Sequence, residues 1–434
     1  MLKYSEPHRW MLLVQVKSQI CQEFAQYDKC STNNACGCFH MTDVGNIGMC
    51  GFLEIDCSQV KPCNSSNNAC NLSDSICVRH PRCNDLPLCY PLSMIDQRIC
   101  PSIKKWINTG KMNYARYMHK ASILSNGQVL IMGGIGDRAI ALKSAELYDS
   151  STGLWTVTRN MTNARFGHAV SLLINGKVLV TGGNGNGYYL NTAELYDSST
   201  KTWTMTGNMS YTRFGHTASV LTNGKVLVTG GDGHSQYLNT AELYDPLKET
   251  WTNTGNMNYP RYLHTATVLP NGKVLVTGGW MGDYLNNSEL YDPLTETWTI
   301  AGVINNSLSY HTASMLKNGK VLISGGVDPK SIALNSSVLY DPSTGSWTAT
   351  GNMNNGRWAH TASVLPNGEV LVTGGYNGTT LNSAELYNPS TGTWTVINIM
   401  NNPRSSHTAF VLTNGKMLIA GGIDNMPLNS AELY

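Results

Sequence analysis

The chain of 434 residues is short of charge: Asp, Glu, Lys and Arg make up 13% of it, where an ordinary soluble domain carries about 25%. The 30 basic and 28 acidic side chains nearly cancel, to a net +2. That balance excludes an electrostatic grip on nucleic acid or on an anionic membrane as the main activity. No run of eighteen apolar residues occurs, so no stretch spans a bilayer as a helix. No Cys-x-x-Cys pair occurs either, which removes the usual zinc knuckle. Residues 101–434 contain no cysteine at all. What is present is enough for a core, with 41% hydrophobic residues, and the length suggests two or three domains.

The cysteines therefore divide the chain. All 12 lie between Cys21 and Cys100: Cys21, Cys30, Cys36, Cys38, Cys50, Cys57, Cys63, Cys70, Cys77, Cys83, Cys89 and Cys100. Between them Asn, Ser, Pro and Asp dominate, so residues 21–101 read as a loop-like module. Such a module buries too little surface to fold unaided, and cross-links must restrict its unfolded ensemble. All 12 cysteines are expected in disulfides, whose connectivity spacing cannot supply. Disulfides imply an oxidising compartment, and hence an extracellular or secreted protein. Zinc is the competing reading, with His40 and His80 as the available nitrogen donors. Residues 1–20 are read as an N-terminal segment, either a degenerate signal or an anchor, although the apolar stretch at 10–14 is short and no Ala-x-Ala site follows it. Eight Asn-x-Ser/Thr sequons occur, about what the Asn, Ser and Thr content gives by chance.

The remainder, residues 102–434, is one unit seven times over. Trp stands at 106, 155, 203, 251, 298, 347 and 394, and a His follows each after thirteen residues. A Gly-Gly pair starts fourteen residues after each His, and a Leu-Tyr pair closes each unit. A period of 47 to 49 residues demands a repeat architecture. Each unit reads as four strands. An Asn-Gly pair, as at Asn271-Gly272, joins the first two in a turn expected to place both residues at positive φ. An Asp followed by Pro or Ser opens the turn after the third. Four antiparallel strands make one propeller blade.

His, paired Gly, Tyr and Trp at these spacings resemble the kelch repeat, and the resemblance covers all seven units. It implies an all-β, seven-bladed kelch propeller. The array begins with a lone fourth strand at Trp106 and stops at Tyr434 after a third strand. Pairing these ends closes the ring and removes two open edges.

The loops on the two faces differ. One face repeats Asn-Gly and Tyr-Asp turns almost unchanged, whereas the loops after the paired glycines vary and carry aromatics. Aromatic and Arg enrichment marks recognition surfaces. The candidate binding residues are therefore Tyr188, Tyr189, Tyr237, Trp280, Asp283, Tyr284 and Tyr376, together with Arg116, Arg165, Arg213, Arg261, Arg357 and Arg404, which stand three residues before a His. Tyr117, Phe166, Phe214, Tyr262 and Trp358, each directly after one of these Arg, complete the set. In kelch propellers this loop often lines the channel mouth, which implies that the Arg residues hold an acidic group. A structural role competes. The fifth unit alone replaces the Arg with Leu308, and it alone replaces the Glu of Glu-Leu-Tyr with Val338. Paired loss points to an Arg–Glu bond within each blade.

No catalytic residue, metal site or cofactor is expected. Seven inner strands about 10 Å apart hold the seven His too far from one another to share a metal, whose bonds to nitrogen are about 2 Å. The glycine-rich stretch 182–187 joins two strands and opens no helix, so it is not a phosphate loop. Copper radical oxidases of the galactose oxidase type share a kelch-like propeller, but that family needs a propeller Cys cross-linked to Tyr, and no Cys is present here. A sialidase box is matched only partly at residues 341–347. Intracellular kelch adaptors for ubiquitin ligases carry a helical domain where this chain has its Cys-rich segment. The expectation is an extracellular, non-enzymatic recognition protein for a protein or glycan partner. The alternative is an intracellular adaptor with a zinc-bound N-terminal region.

Overall fold

The computed structural model describes residues 106–434 apart from 305 and 307, and, in the N-terminal part, residues 20–22, 36–40, 47–52, 60–64, 70, 75–79 and 87–91. The chain divides into two compact units, Met1–Lys105 and Trp106–Tyr434.

The second unit is a propeller of seven four-stranded antiparallel blades. Their first strands are Lys120–Ile123, Ala169–Leu172, Thr217–Val220, Thr265–Val268, Thr312–Met315, Thr361–Val364 and Thr408–Val411, for blades 1 to 7. First strands of successive blades neighbour one another around the ring, from blade 7 back to blade 1, so they line the central channel. The second strands, such as Val129–Met132 and Val226–Thr229, are buried along their whole length. A strand covered on both faces has no polar side to present, which is why these read as continuous apolar runs. The core is accordingly a series of seams. Leu173, Leu179 and Leu195 of blade 2, for example, pack on Val226 and Tyr244 of blade 3.

The ends close as the orphan strand requires. Ile107–Asn108 pairs with Ala431–Leu433 as the fourth strand of blade 7, Asn108 opposite Glu432 and Ile107 opposite Leu433. The Trp106 ring packs on Tyr434 with centroids 4.8 Å apart. Its indole N–H donates to the Asn398 carbonyl at 2.7 Å. The same bond recurs around the ring: Trp251 donates to Gly207, Trp298 to Gly255 and Trp394 to Gly351. Each Trp thus joins its own outer strand to the blade before it.

The Asn-Gly turns depart from expectation in one respect. The glycines have positive φ, 81° at Gly127 and 81° at Gly272, but the asparagines do not. The loop is wider than a two-residue turn. Gly127 N–H donates to the Leu124 carbonyl, Leu124 N–H donates to the Gln128 carbonyl, and the Asn126 side chain accepts from Gln128 N–H. A type I turn followed by one left-handed residue needs positive φ only at the glycine.

In the first unit the described residues include more strand than the loop-like composition suggests. Ile20–Gln22, Ile47–Phe52 and Cys36–His40 form a three-stranded sheet, and Ser75–Arg79 pairs with Pro87–Pro91. Among the described residues two disulfides are present, Cys63–Cys77 and Cys70–Cys89. The expected disulfides of Cys21, Cys30, Cys36, Cys38, Cys50, Cys57, Cys83 and Cys100 fall on side chains outside the described residues.

Candidate functional site

The six arginines are not surface groups. Arg116, Arg165, Arg213, Arg261, Arg357 and Arg404 are each 0% exposed. Each pairs within its blade with Glu146, Glu194, Glu242, Glu289, Glu385 or Glu432 respectively, at 2.7–3.0 Å, and these carboxylates are equally buried. The expectation that they contact a ligand is corrected by this burial: a guanidinium out of water needs its hydrogen bonds inside the protein. In blade 1, Arg116 also donates to the Gly133 and Ser144 carbonyls, at 2.9 and 3.0 Å. Glu146 in turn accepts from the Asn113 and Tyr114 amides. The pair therefore ties the loop entering the blade to the loop after its second strand. Burial lowers the Arg116 pKa from its ordinary value, and Glu146 opposes the shift. In blade 5, Leu308 and Val338 fill the same place with hydrocarbon.

Gly133 shows why the glycines are paired. Its φ is +62°, and a Cβ there would lie 2.5 Å from the Arg165 carbonyl oxygen of the next blade. The seven His residues are buried in the seams. His264 Nε2 meets Thr217 and Thr229 of blade 3, and His311 meets Thr265 and Thr277 of blade 4, at 2.9–3.1 Å. Burial, then nearby arginines, holds them neutral, with His216 and His311 lowered to about 3. Met112, Met161, Met209, Met257, Met353 and Met400, with Ile304, are buried at equivalent positions of the seven units.

With the arginines removed, the varied face consists of aromatics. After each Arg the chain makes one bridge to the residue following the paired glycines. Tyr117 meets Ile135, Phe166 meets Asn184, Phe214 meets Asp232, Tyr262 meets Trp280 and Trp358 meets Tyr376. These bridges hold the rings upright at the blade tops, half-buried. The rings then gather. Phe214 lies 5.5 Å from both Phe166 and Tyr189. Tyr237 stacks on Tyr262 at 5.4 Å and meets Trp280 edge-on at 4.9 Å. Trp358 lies 5.3 Å from Tyr376 and from Tyr310. Tyr188 is 76% exposed. Asp283 is exposed, its carboxylate accepting from the Tyr284 amide.

A hollow of about 620 Å³ opens on this face across blades 4 to 6, lined by Tyr284, Tyr310, Val327, Ile332, Trp358 and Tyr376. Tyr310, Val327 and Ile332 are absent from the expected set. Tyr310 precedes the His of blade 5, where the other units carry Met, Gly, Leu, Ala or Ser. Aligning the units on the His would have exposed it as the one aromatic there. Burial pushes the Tyr262 and Tyr189 hydroxyls up to about 12, Asp232 adding to the shift at Tyr189. The Tyr189 O–H is spent on the Asp232 carboxylate at 3.1 Å, while Tyr262 keeps its O–H beside apolar rings.

Residues 101–279 and 252–422 match the family model described as the KLHDC2/KLHL20/DRC7 Kelch-repeats domain. The chain belongs to the kelch-repeat family. A kelch propeller supports a binding or scaffold role in general terms. No curated protein matches this kelch chain. A solved structure similar in fold is a novel fungal alcohol oxidase with catalytic diversity among the AA5 family, in complex with copper, 20% identical over 76% of each chain with a TM-score of 0.65. At that identity the likeness is one of fold. The residues here do not fit a copper radical centre: residues 101–434 supply no Cys for the cross-link, and the imidazoles of His216, His264, His311, His360 and His407 are bonded to Thr in separate seams.

Proposed function

We propose that this kelch protein is an extracellular, non-enzymatic recognition module whose varied propeller face binds a protein or glycan partner. The observation that carries the reading is the gathering of half-buried aromatic rings around the open hollow of blades 4 to 6. Rigid aromatic side chains supply large contact area at small entropic cost. The opposite face repeats the same turns and offers no such gathering. The disulfides Cys63–Cys77 and Cys70–Cys89 support the extracellular assignment over the zinc-bound adaptor.

The test uses the full chain as bait against extracellular protein and glycan libraries, beside the triple variant Trp280→Ala, Tyr284→Ala, Trp358→Ala. Loss of at least tenfold in affinity for the captured partner is expected. Unchanged binding by the triple variant overturns the assignment of this face. Periodate treatment of the partner separates the two classes, since it destroys a glycan epitope and spares a protein one.

A further inference from the structure

The seam between blades 1 and 2 departs from the other six at three points, all beside the channel mouth. The first is a backbone collar. The residue before each seam His lies in the left-handed region, with φ of 52° at Met118, 60° at Gly167, 56° at Leu263 and 53° at Tyr310. Its N–H donates to the carbonyl at the same position one blade earlier. Gly215 donates to Gly167, Leu263 to Gly215, Tyr310 to Leu263, Ala359 to Tyr310, Ser406 to Ala359 and Met118 to Ser406. Those six bonds run almost around the ring. The seventh, from Gly167 to Met118, is missing, and the Gly167 N–H has no partner among the described residues.

The second point is His168. Every other seam imidazole bonds through Nε2 to a Thr of the preceding blade. His168 is 1% exposed, and neither ring nitrogen has a partner. The cause is local: blade 1 carries Lys120 and Met132 where blade 3 carries Thr217 and Thr229.

The third point is Lys120 itself. It is the single ionised side chain on the seven innermost strands. Solvent reaches it, yet surrounding protein is dense enough for burial to lower its pKa from the ordinary value. As the exposed first residue of an innermost strand, it faces the channel mouth. Burial first, then a neighbouring arginine, then the Lys120 charge lower the pKa of His119, His168 and His216, on three successive blades. Among the described residues Lys120 has no ion pair and no hydrogen bond.

These groups are chiefly donors. A backbone N–H, an ammonium and an imidazole stand at adjacent positions of blades 1 and 2 where the collar is open, beside one acceptor, the Met118 carbonyl. We propose that Lys120, the Gly167 amide and the His168 ring form a binding site for one compact monovalent anion, a chloride ion or a small carboxylate, at the channel mouth between blades 1 and 2. One fixed positive charge beside a neutral His balances one negative charge. Lys acts as a point charge without the planar fork that phosphate recognition favours.

The test is a titration of the full-length protein with sodium chloride and, separately, sodium acetate, ionic strength being held constant with a bulky sulfonate. Lysines are read as ¹³C-dimethylamine signals, which keep their charge, and the Lys120 signal is assigned by its loss in Lys120→Thr. A saturable shift of that signal with either anion is expected, together with an anion-dependent rise in the unfolding midpoint that Lys120→Thr lacks. A response to acetate alone assigns a carboxylate, and a response to both assigns any compact anion. If the Lys120 signal moves no more than those of surface lysines with either salt, the proposal falls. Lys120→Thr is expected to fold, because Thr occupies this position in five blades and gives His168 a partner. Lys120→Met is the second charge-removing variant and supplies the same assignment if Lys120→Thr does not fold.

Discussion

Six guanidinium groups at 0% exposure are held by six carboxylates, and removing one partner strands the other in the core. Arg213→Ala leaves Glu242 buried and unpaired, so it is expected to cost about 3–5 kcal/mol in urea unfolding. The double variant Arg213→Leu, Glu242→Val copies what blade 5 already does with Leu308 and Val338. It should recover most of that loss, because hydrocarbon of similar volume carries no desolvation penalty. A double variant as unstable as the single one would show that the pair does more than fill space. The histidines set the response to pH. Burial depresses their folded pKa, to about 3 for His216 and His311, below the unfolded value of about 6.5. The folded state therefore binds fewer protons than the unfolded state between those limits. The thermal midpoint should be flat above about pH 7 and fall progressively as pH drops from about 6.5 towards 3. A midpoint unchanged between pH 7 and pH 5 would contradict neutral seam histidines.

At the scale of the element, blade 7 is the one sheet made from both ends of the array. Its fourth strand pairs through only two residues, Ile107 and Asn108. Trp106 reinforces it through the Tyr434 ring and the Asn398 carbonyl. Trp106→Ala removes a buried indole and its hydrogen bond, so a loss of about 3–5 kcal/mol is expected. Amides of Ala431–Leu433 should then exchange with solvent faster than the matching strand Ala241–Asp245 of blade 3, which is continuous with its neighbours in sequence. Equal protection of the two strands would mean that closure does not depend on this strand.

At the scale of the whole molecule, covalent and non-covalent stabilisation are segregated. The described cross-links, Cys63–Cys77 and Cys70–Cys89, lie in the first unit, and the propeller has no cysteine. Reductant is therefore expected to expose thiols and unfold the first unit while leaving the propeller's main unfolding transition within 2–3 °C of its original position, roughly the shift a fraction of a kcal/mol would cause. Alkylation of the unreduced protein should label none of Cys63, Cys70, Cys77 and Cys89. Labelling of all four before reduction would overturn the disulfides and revive the zinc-bound reading, since the sulfurs of Cys63, Cys70 and Cys89 lie within 4.8 Å of one another.

The blade count, the strand order and the closure at Trp106 were legible because each rests on local chemistry repeated seven times: Asn-Gly turns, apolar second strands and a Trp at constant spacing. The joint replacement of Arg and Glu by Leu308 and Val338 in the fifth unit even hinted at the Arg–Glu bond. Pattern did not reveal that these arginines face inward. An Arg beside an aromatic in a variable loop has the same sequence whether it points to solvent or to a buried carboxylate. Burial is a property of what the rest of the ring puts around it. The same holds for Lys120. As one letter it differs from the Thr of neighbouring repeats by a charge. Only the closed ring encloses that charge in the channel, beside a histidine and an amide that elsewhere find partners in the seam.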